Sequence, residues 1–216
     1  MSARLRKIGE DLAWRLKVYQ AKRVRARSKA TFIGITGSSG KSTSASLLGH
    51  ILAGHGSVHT QVLANTIKAL IRTLYKRLKR AGPVDYVVFE AGAFAAGSIR
   101  PMAQLLKPHV AVVTMVRLEH LASFRTLEAV AKEKRALVDA LQPGGLAVLN
   151  ADDPHVLGMA SGLACRAVTL VRRKPRTIVS VTYTPPIRSR YDFHSTGAAA
   201  RWKFEHRFRA STSGCR

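Results

Sequence analysis

Residues 31–52 have the sequence pattern of a buried strand, a glycine-rich turn and a helix in direct succession. Gly37 and Gly40 let the turn direct backbone N–H groups toward a bound anion. A helix that begins near Lys41 adds its positive N-terminal end. The Lys41 ammonium can reach the outer phosphates of a nucleotide, and the Ser42 hydroxyl can bind Mg²⁺. The order of these parts predicts a phosphate-binding loop.

The match is to the short pattern T-G-x-x-G-K-S-T, because Ile35 stands where the longer pattern has glycine. The alternative is an ordinary strand-to-helix turn with an exposed lysine. We refer to residues 36–43 as the glycine loop and predict that all of them contact the nucleotide: Thr36, Gly37, Ser38, Ser39, Gly40, Lys41, Ser42 and Thr43.

Alternating strand and helix patterns continue to about residue 170. Further strands are predicted at residues 57–62, 85–91, 110–116 and 145–149, and helices at 67–81, 100–106, 127–141 and 153–162. Continuous apolar strands separated by helices are typical of a parallel sheet with helices on both faces. We therefore predict an α/β domain over residues 31–170.

The net charge of +24 is concentrated at the two ends of the chain. Residues 1–30 have the pattern of a basic amphipathic helix, with its apolar stripe at Leu5, Ile8, Leu12, Leu16 and Tyr19. We expect this helix to pack on the surface of the domain; a membrane-surface or partner-docking helix is the alternative. Residues 171–216 show no sustained period, which indicates an irregular basic tail, either disordered or produced by a shift of reading frame. Nucleic-acid binding is not favoured, because the middle lacks an aromatic platform.

Composition narrows the class of protein further. The two cysteines cannot form a metal-type pair or a disulfide framework, and no apolar run is long enough to span a bilayer. The N-terminus lacks the apolar stretch of a signal peptide. We expect a cytoplasmic protein without a membrane span.

Polar residues follow several of the predicted strands. Glu90 ends the third strand, where a carboxylate can hold Mg²⁺ at the edge that binds ligands in such sheets. His120, Lys134, Asn150 and Asp152 each have an ordinary interpretation when considered alone: a surface histidine, a solvated lysine and a helix-capping turn.

Together, four ordered blocks resemble the central ATPase domain of the Mur ligase family. They are ITGSSGKST, VFEAG, LEHLASFRTLEAVAKEKRALVDAL and GGLAVLNADDP, and the likeness covers residues 31–165. Their spacing is most similar to the branch that adds D-alanyl-D-alanine to a UDP-muramoyl tripeptide. Folylpolyglutamate synthases and cyanophycin synthetases share the wider pattern.

The resemblance implies a role for each matching residue. Lys41 matches the phosphate-binding lysine, and Ser42 and Glu90 match the magnesium ligands. His120 matches a histidine of a magnesium site, and Lys134 matches a lysine that several members carry as a carbamate able to bind a second Mg²⁺. Asn150 matches the asparagine that contacts adenine, with Asp152 beside it.

The resemblance also implies the reaction and the partners. ATP and Mg²⁺ would activate a carboxylate as an acyl phosphate, which an amino acid or peptide amine then attacks, in peptidoglycan precursor synthesis. The family carries a UDP-sugar-binding domain before this domain and an amino-acid-binding domain after it. We therefore expect a separate chain to supply these domains, or the chain to bind ATP without completing a ligation.

Overall fold

The computed structural model describes residues 3–78, 82–119, 121–172 and 179–184. The helices are α1 (Ala3–Arg27), α2 (Lys41–Ala53), α3 (Ile67–Arg72, continued by a π-helical turn at Thr73–Leu78), α4 (Ile99–Leu106), α5 (Leu127–Val138) and α6 (Pro154–Leu157, continued by a 3-10 turn at Gly158–Ala160). The strands are β1 (Thr31–Thr36), β2 (Val58–Gln61), β3 (Tyr86–Glu90), β4 (Val110–Val113), β5 (Leu146–Asn150), β6 (Arg166–Arg172) and β7 (Val179–Thr184).

The seven strands form one sheet in the order β2-β3-β1-β4-β5-β6-β7. The first six run parallel, and β7 pairs antiparallel with β6. The glycine loop follows β1, at the centre of the sheet, and Glu90 ends the neighbouring β3. The predicted α/β class with a mostly parallel sheet is confirmed.

Helices lie on both faces of the sheet, but unequally. The larger core joins the sheet to α1, α3, α4, α5 and α6, and includes Phe32, Phe89 and Leu137. Of the described helices, α2 alone packs on the opposite face, over Ile33, Ile35 and Val88. This arrangement buries β1 on both sides, so that the strand positions the glycine loop rigidly.

Side-chain caps fix where three of the helices begin. Thr66 and Thr126 accept hydrogen bonds from the backbone N–H groups of Ala69 and Ala129, at the first turns of α3 and α5. Asp153 caps α6 in the same way, with Pro154 in the first turn. These caps satisfy N–H groups that have no partner within the helix. No helix among the described residues is long and apolar enough to cross a membrane.

Two strands correct the sequence prediction after β5. Residues 166–172 form β6, and residues 179–184, expected to be irregular, form the edge strand β7. Pairing with neighbouring strands stabilises both, and such long-range pairing leaves little periodic signal in the sequence. Residues 173–178 and 185–216 lie outside the described part of the chain, so the expected disordered or frame-shifted tail stays a prediction there.

Helix α1 is present and packs on the domain as the sequence predicted, but it does not pack through its predicted apolar stripe. Ile8, Leu12, Leu16 and Tyr19 are all more than half exposed, with exposed fractions of 55–68%. The helix instead packs through its opposite side, where Ala21 is buried. Arg25 anchors that side: it donates to the carbonyl oxygens of Leu106 and Lys107, and its guanidinium lies 3.9 Å from the centre of the Phe32 ring.

Candidate active site

The glycine loop closes over the N-terminus of α2. Gly37 has φ 149° and Gly40 has φ 78°, values in the left-handed region that favours glycine. No side chain caps this helix end in the described structure, so the first N–H groups of α2 stay available to an anion. The Lys41 Nζ atom donates to the carbonyl oxygen of Gly37 at 2.8 Å, which folds the lysine back over the loop.

The residues that follow β4 hold the glycine loop in shape. The Ser38 amide donates to the carbonyl oxygen of Met115 at 2.8 Å, and its hydroxyl bonds both the N–H and the carbonyl oxygen of Arg117 at 2.9 Å. The Thr114 hydroxyl donates to the carbonyl oxygen of Ser39 at 2.6 Å. A Cβ atom at Gly37 would lie 1.8 Å from the Thr114 Oγ1 atom, so this position has no room for a side chain.

Ser42 and Glu90 meet at the carboxyl edge of the sheet. The Ser42 hydroxyl donates to the Glu90 Oε2 atom at 2.7 Å, and Glu90 is only 2% exposed. Neighbouring oxygen ligands of an octahedral Mg²⁺ stand about 3 Å apart, given metal–oxygen distances of about 2.1 Å. The pair therefore fits a magnesium ion. Among the described residues, no group of three or more acidic, histidine or cysteine side chains is placed to hold a metal ion.

The segment between β2 and α3 positions the Glu90 carboxylate. The Leu63 amide donates to Oε2 at 3.1 Å, and the Asn65 Nδ2 atom donates to Oε1 at 3.1 Å. Leu63 has φ 63°, a strained value for a leucine, as is found at functional sites. Asn65 also fills the space over Gly92, where a Cβ atom would lie 2.7 Å from the asparagine side chain. Neither of these two donors was predicted from the sequence.

Lys134 is buried and lies near the glycine loop. Its side chain is fully shielded from solvent, and its Nζ atom forms an ion pair with the Glu119 carboxylate. Burial lowers the pKa of Lys134, the contact with Glu119 opposes that shift, and the positive charge of Lys41 adds to the lowering. The expected ordinary interpretation, a solvated lysine, is therefore wrong. A lysine with a lowered pKa is a recognised feature of functional sites.

The side-chain hydrogen bonds of the remaining predicted site residues are with groups other than Lys41, Ser42 and Glu90. Asn150 ends β5 and braces β4, because its Nδ2 atom donates to the carbonyl oxygen of Thr114 at 2.7 Å and its Oδ1 atom accepts from the Asp152 amide at 3.0 Å. Thr36 is fully buried and donates to the carbonyl oxygen of Ala91, whereas Thr43 is exposed on α2. His120 lies outside the described residues.

Comparison with known proteins now identifies the family. Residues 35–198 match the family model of the Mur ligase middle domain, which is more than half of the chain. The chain belongs to this family. The resemblance predicted from four short blocks is thereby confirmed.

Individual Mur ligases match the same region. UDP-N-acetylmuramoyl-tripeptide–D-alanyl-D-alanine ligase of Mycobacterium tuberculosis H37Rv is 33% identical over 172 residues, 79% of this chain and 33% of the relative. UDP-N-acetylmuramoylalanine–D-glutamate ligase of Symbiobacterium thermophilum is 36% identical over 145 residues, 67% of this chain and 30% of the relative. The chain thus spans about a third of the length of these curated relatives.

A solved structure confirms the fold. MurF ligase from Thermotoga maritima, crystallised in complex with ADP, superposes with a TM-score of 0.66 and 24% identity over 73% of this chain and 36% of its own. The Mur ligase middle domain therefore accounts for the sheet and helices from the end of β1 onward, whereas α1 precedes the matched residues.

Proposed function

We propose that this chain is the ATP-binding domain of a Mur-type ligase that joins a carboxylate to an amine. The observation that carries the proposal is the 2.7 Å contact between the Ser42 hydroxyl and the buried Glu90 carboxylate, beside the glycine loop and Lys41. A lysine, a hydroxyl and a carboxylate together at the carboxyl edge of a parallel sheet are the groups that would bind a nucleoside triphosphate and its metal.

Each part of the site has a distinct task in the proposed reaction. The N–H groups at the start of α2 bind phosphate oxygens, and Lys41 balances the charge of the γ-phosphoryl group. That group passes to a substrate carboxylate oxygen, giving an acyl phosphate and ADP. The substrate amine then attacks the acyl carbon and expels phosphate, which leaves the new amide.

Ser42 and Glu90 would hold the magnesium ion, which when bound neutralises charge on the transferred phosphoryl group. Asn65 and the Leu63 amide keep the Glu90 carboxylate turned toward Ser42. Lys134, whose pKa is lowered by burial, lies close enough to Lys41 for their charges to interact, and carbamylation of Lys134 would place a second anionic ligand there. His120 and the Asn150–Asp152 segment are proposed to serve the metal and the adenine, respectively.

The Lys41→Ala substitution tests the proposal. Calorimetric titration with ATP should show binding that requires Mg²⁺, and Lys41→Ala should weaken it by at least about tenfold, since one charged contact to phosphate contributes about 1.5–3 kcal/mol. The matched control is Lys17→Ala, which removes the same charge from an exposed position on α1. Equal ATP affinity in both variants would refute the assignment of the glycine loop.

The branch that adds D-alanyl-D-alanine is the more specific form of the proposal. It is supported by the longer match to the mycobacterial ligase, 172 residues against 145 for the D-glutamate ligase. The substrates would be a UDP-muramoyl peptide and a D-amino acid dipeptide, met in the cytoplasm where ATP is available. The segments that bind them would come from further domains, on this protein or on a separate chain.

The complete reaction gives a second measurement. ADP release in the presence of the UDP-muramoyl peptide and the D-amino acid dipeptide should appear only when the domains that bind these substrates are added. The reason is that the described residues provide the ATP site alone. Turnover by the 216-residue chain without them would show instead that it is a self-sufficient ligase.

A further inference from the structure

Helix α1 has two apolar sides, and the domain covers only one of them. The covered side includes Val18 and Ala21, and Trp14 lines the same groove as Ile67 and Pro101. The other side carries the exposed stripe of Ile8, Leu12, Leu16 and Tyr19, which we call the outer stripe. At 100° per residue, the outer stripe spans about 80° of the helix circumference and is centred about 140° from the covered side.

The charges around the outer stripe are basic. Four exposed side chains border or interrupt it: Arg15, Lys22, Arg23 and Arg27. The Arg23 guanidinium lies 5.8 Å from the centre of the Tyr19 ring, so that it covers an apolar group and still reaches solvent. Of the two acidic residues of the helix, Glu10 lies about 120° from the nearest stripe residue, and Asp11 lies about 60° from Ile8, on the side that carries Lys22.

We propose that α1 is an interfacial helix that binds the surface of an anionic lipid bilayer through the outer stripe. The apolar side chains of the stripe suit the boundary of the acyl chains, and the arginine and lysine side chains beside them suit the anionic headgroups. The outer stripe lies on the side of α1 that faces away from the domain, and the exposed basic side chains beside it complement anionic headgroups. A net charge of +24 opposes pairing with a second copy of this chain.

Because α1 is attached to the domain, binding of the outer stripe to a bilayer also sets the orientation of the domain relative to the membrane. Arg25, buried against Phe32 and bonded to the carbonyl oxygens that end α4, fixes the C-terminal half of the helix. Because the outer stripe points away from that attachment, the helix lies between the domain and the bilayer. The domain is then held beside the membrane without inserting any part of the sheet.

Vesicle flotation with the full 216-residue chain tests the proposal. Vesicles of phosphatidylcholine with about 30% phosphatidylglycerol should carry the chain upward, and pure phosphatidylcholine should not. Leu12→Glu places a carboxylate in the outer stripe and should lower the partition coefficient by at least about tenfold. Ala13→Glu adds the same charge at an exposed position about 100° around the helix from Leu12. It should change the partition coefficient less than twofold.

The comparison of these two variants shows whether vesicle binding depends on the apolar outer stripe or on the charge of the chain alone. Equal losses in Leu12→Glu and Ala13→Glu would show nonspecific attraction of a basic chain and overturn the proposal. A dimer in light scattering that Leu12→Glu dissociates would overturn it too, by assigning the stripe to a second copy. Circular dichroism should give the same melting temperature for both variants, because Leu12 is 68% exposed and its replacement leaves the fold intact.

Discussion

Asp153 joins two parts of the site, and its removal should be costly. The side chain is 1% exposed and accepts hydrogen bonds from the amides of Val116, His155 and Val156, at 2.7, 3.0 and 3.3 Å. Asp153→Ala removes a helix cap, worth about 1 kcal/mol, and leaves the buried Val116 N–H without a partner, which costs about 1–3 kcal/mol. The contact with Arg117 adds little, because that side chain is 62% exposed.

The free energy of unfolding should therefore fall by about 2–4 kcal/mol. In a chain of this size the melting temperature should drop by on the order of 10 °C. Urea unfolding followed by circular dichroism measures the first quantity and calorimetry the second. Asp153→Asn keeps an oxygen for the helix cap but turns an N–H group toward Val116, so we expect a smaller loss.

The matched control is Asp139→Ala, which removes the same charge from an exposed pair with Arg135. Asp139 directly follows α5, four residues after Arg135, and the loss of this pair should cost less than about 1 kcal/mol. If Asp153→Ala and Asp139→Ala destabilised the chain equally, the hydrogen bonds of Asp153 would not carry the stability assigned to them here.

Three further changes test other parts of the structure. Arg25→Gln should loosen α1, seen as faster amide hydrogen exchange along that helix and unchanged exchange in the parallel strands. Burial lowers the pKa of Lys134 below its usual 10.5, so the folded chain binds fewer protons there than the unfolded chain. The free energy of unfolding should therefore rise as the pH approaches 10.5 from below, and Lys134→Met should lose that rise in urea titrations. Gly49→Ala places a Cβ atom 2.1 Å from the Thr60 Oγ1 atom and should cost about 1–3 kcal/mol, which Thr60→Ala should partly restore in a double-mutant cycle.

The centre of the fold could be predicted because its signals are local. The apolar run of β1, the glycines after it and the helix pattern from Lys41 lie within about twenty residues of one another. Strand β6 was missed because charged residues stand at both of its ends and a threonine interrupts it. It becomes a strand through its pairing with β5, a contact that sequence periodicity does not record.

The residues of the candidate site also divide into those that local sequence signals could predict and those that they could not. Glu90 follows a strongly apolar strand, so its place at the sheet edge could be inferred. Asn65 and Leu63 lie in a short loop without a motif, and each reaches Glu90 across more than twenty positions. The asparagine near a predicted strand end was a usable signal, since polar residues at such ends gather at one edge of the sheet.

The ties between Ser38, Ser39 and the residues after β4 have a consequence for synthesis of the chain. They join positions 75 to 79 apart, so the proposed nucleotide site cannot take its final form until the ribosome has released the chain well beyond residue 117. A nascent chain halted before that point would contain every residue of the ITGSSGKST block and still lack the surface that shapes it. The proposed ATP site would thus form late in synthesis, as a property of the assembled sheet.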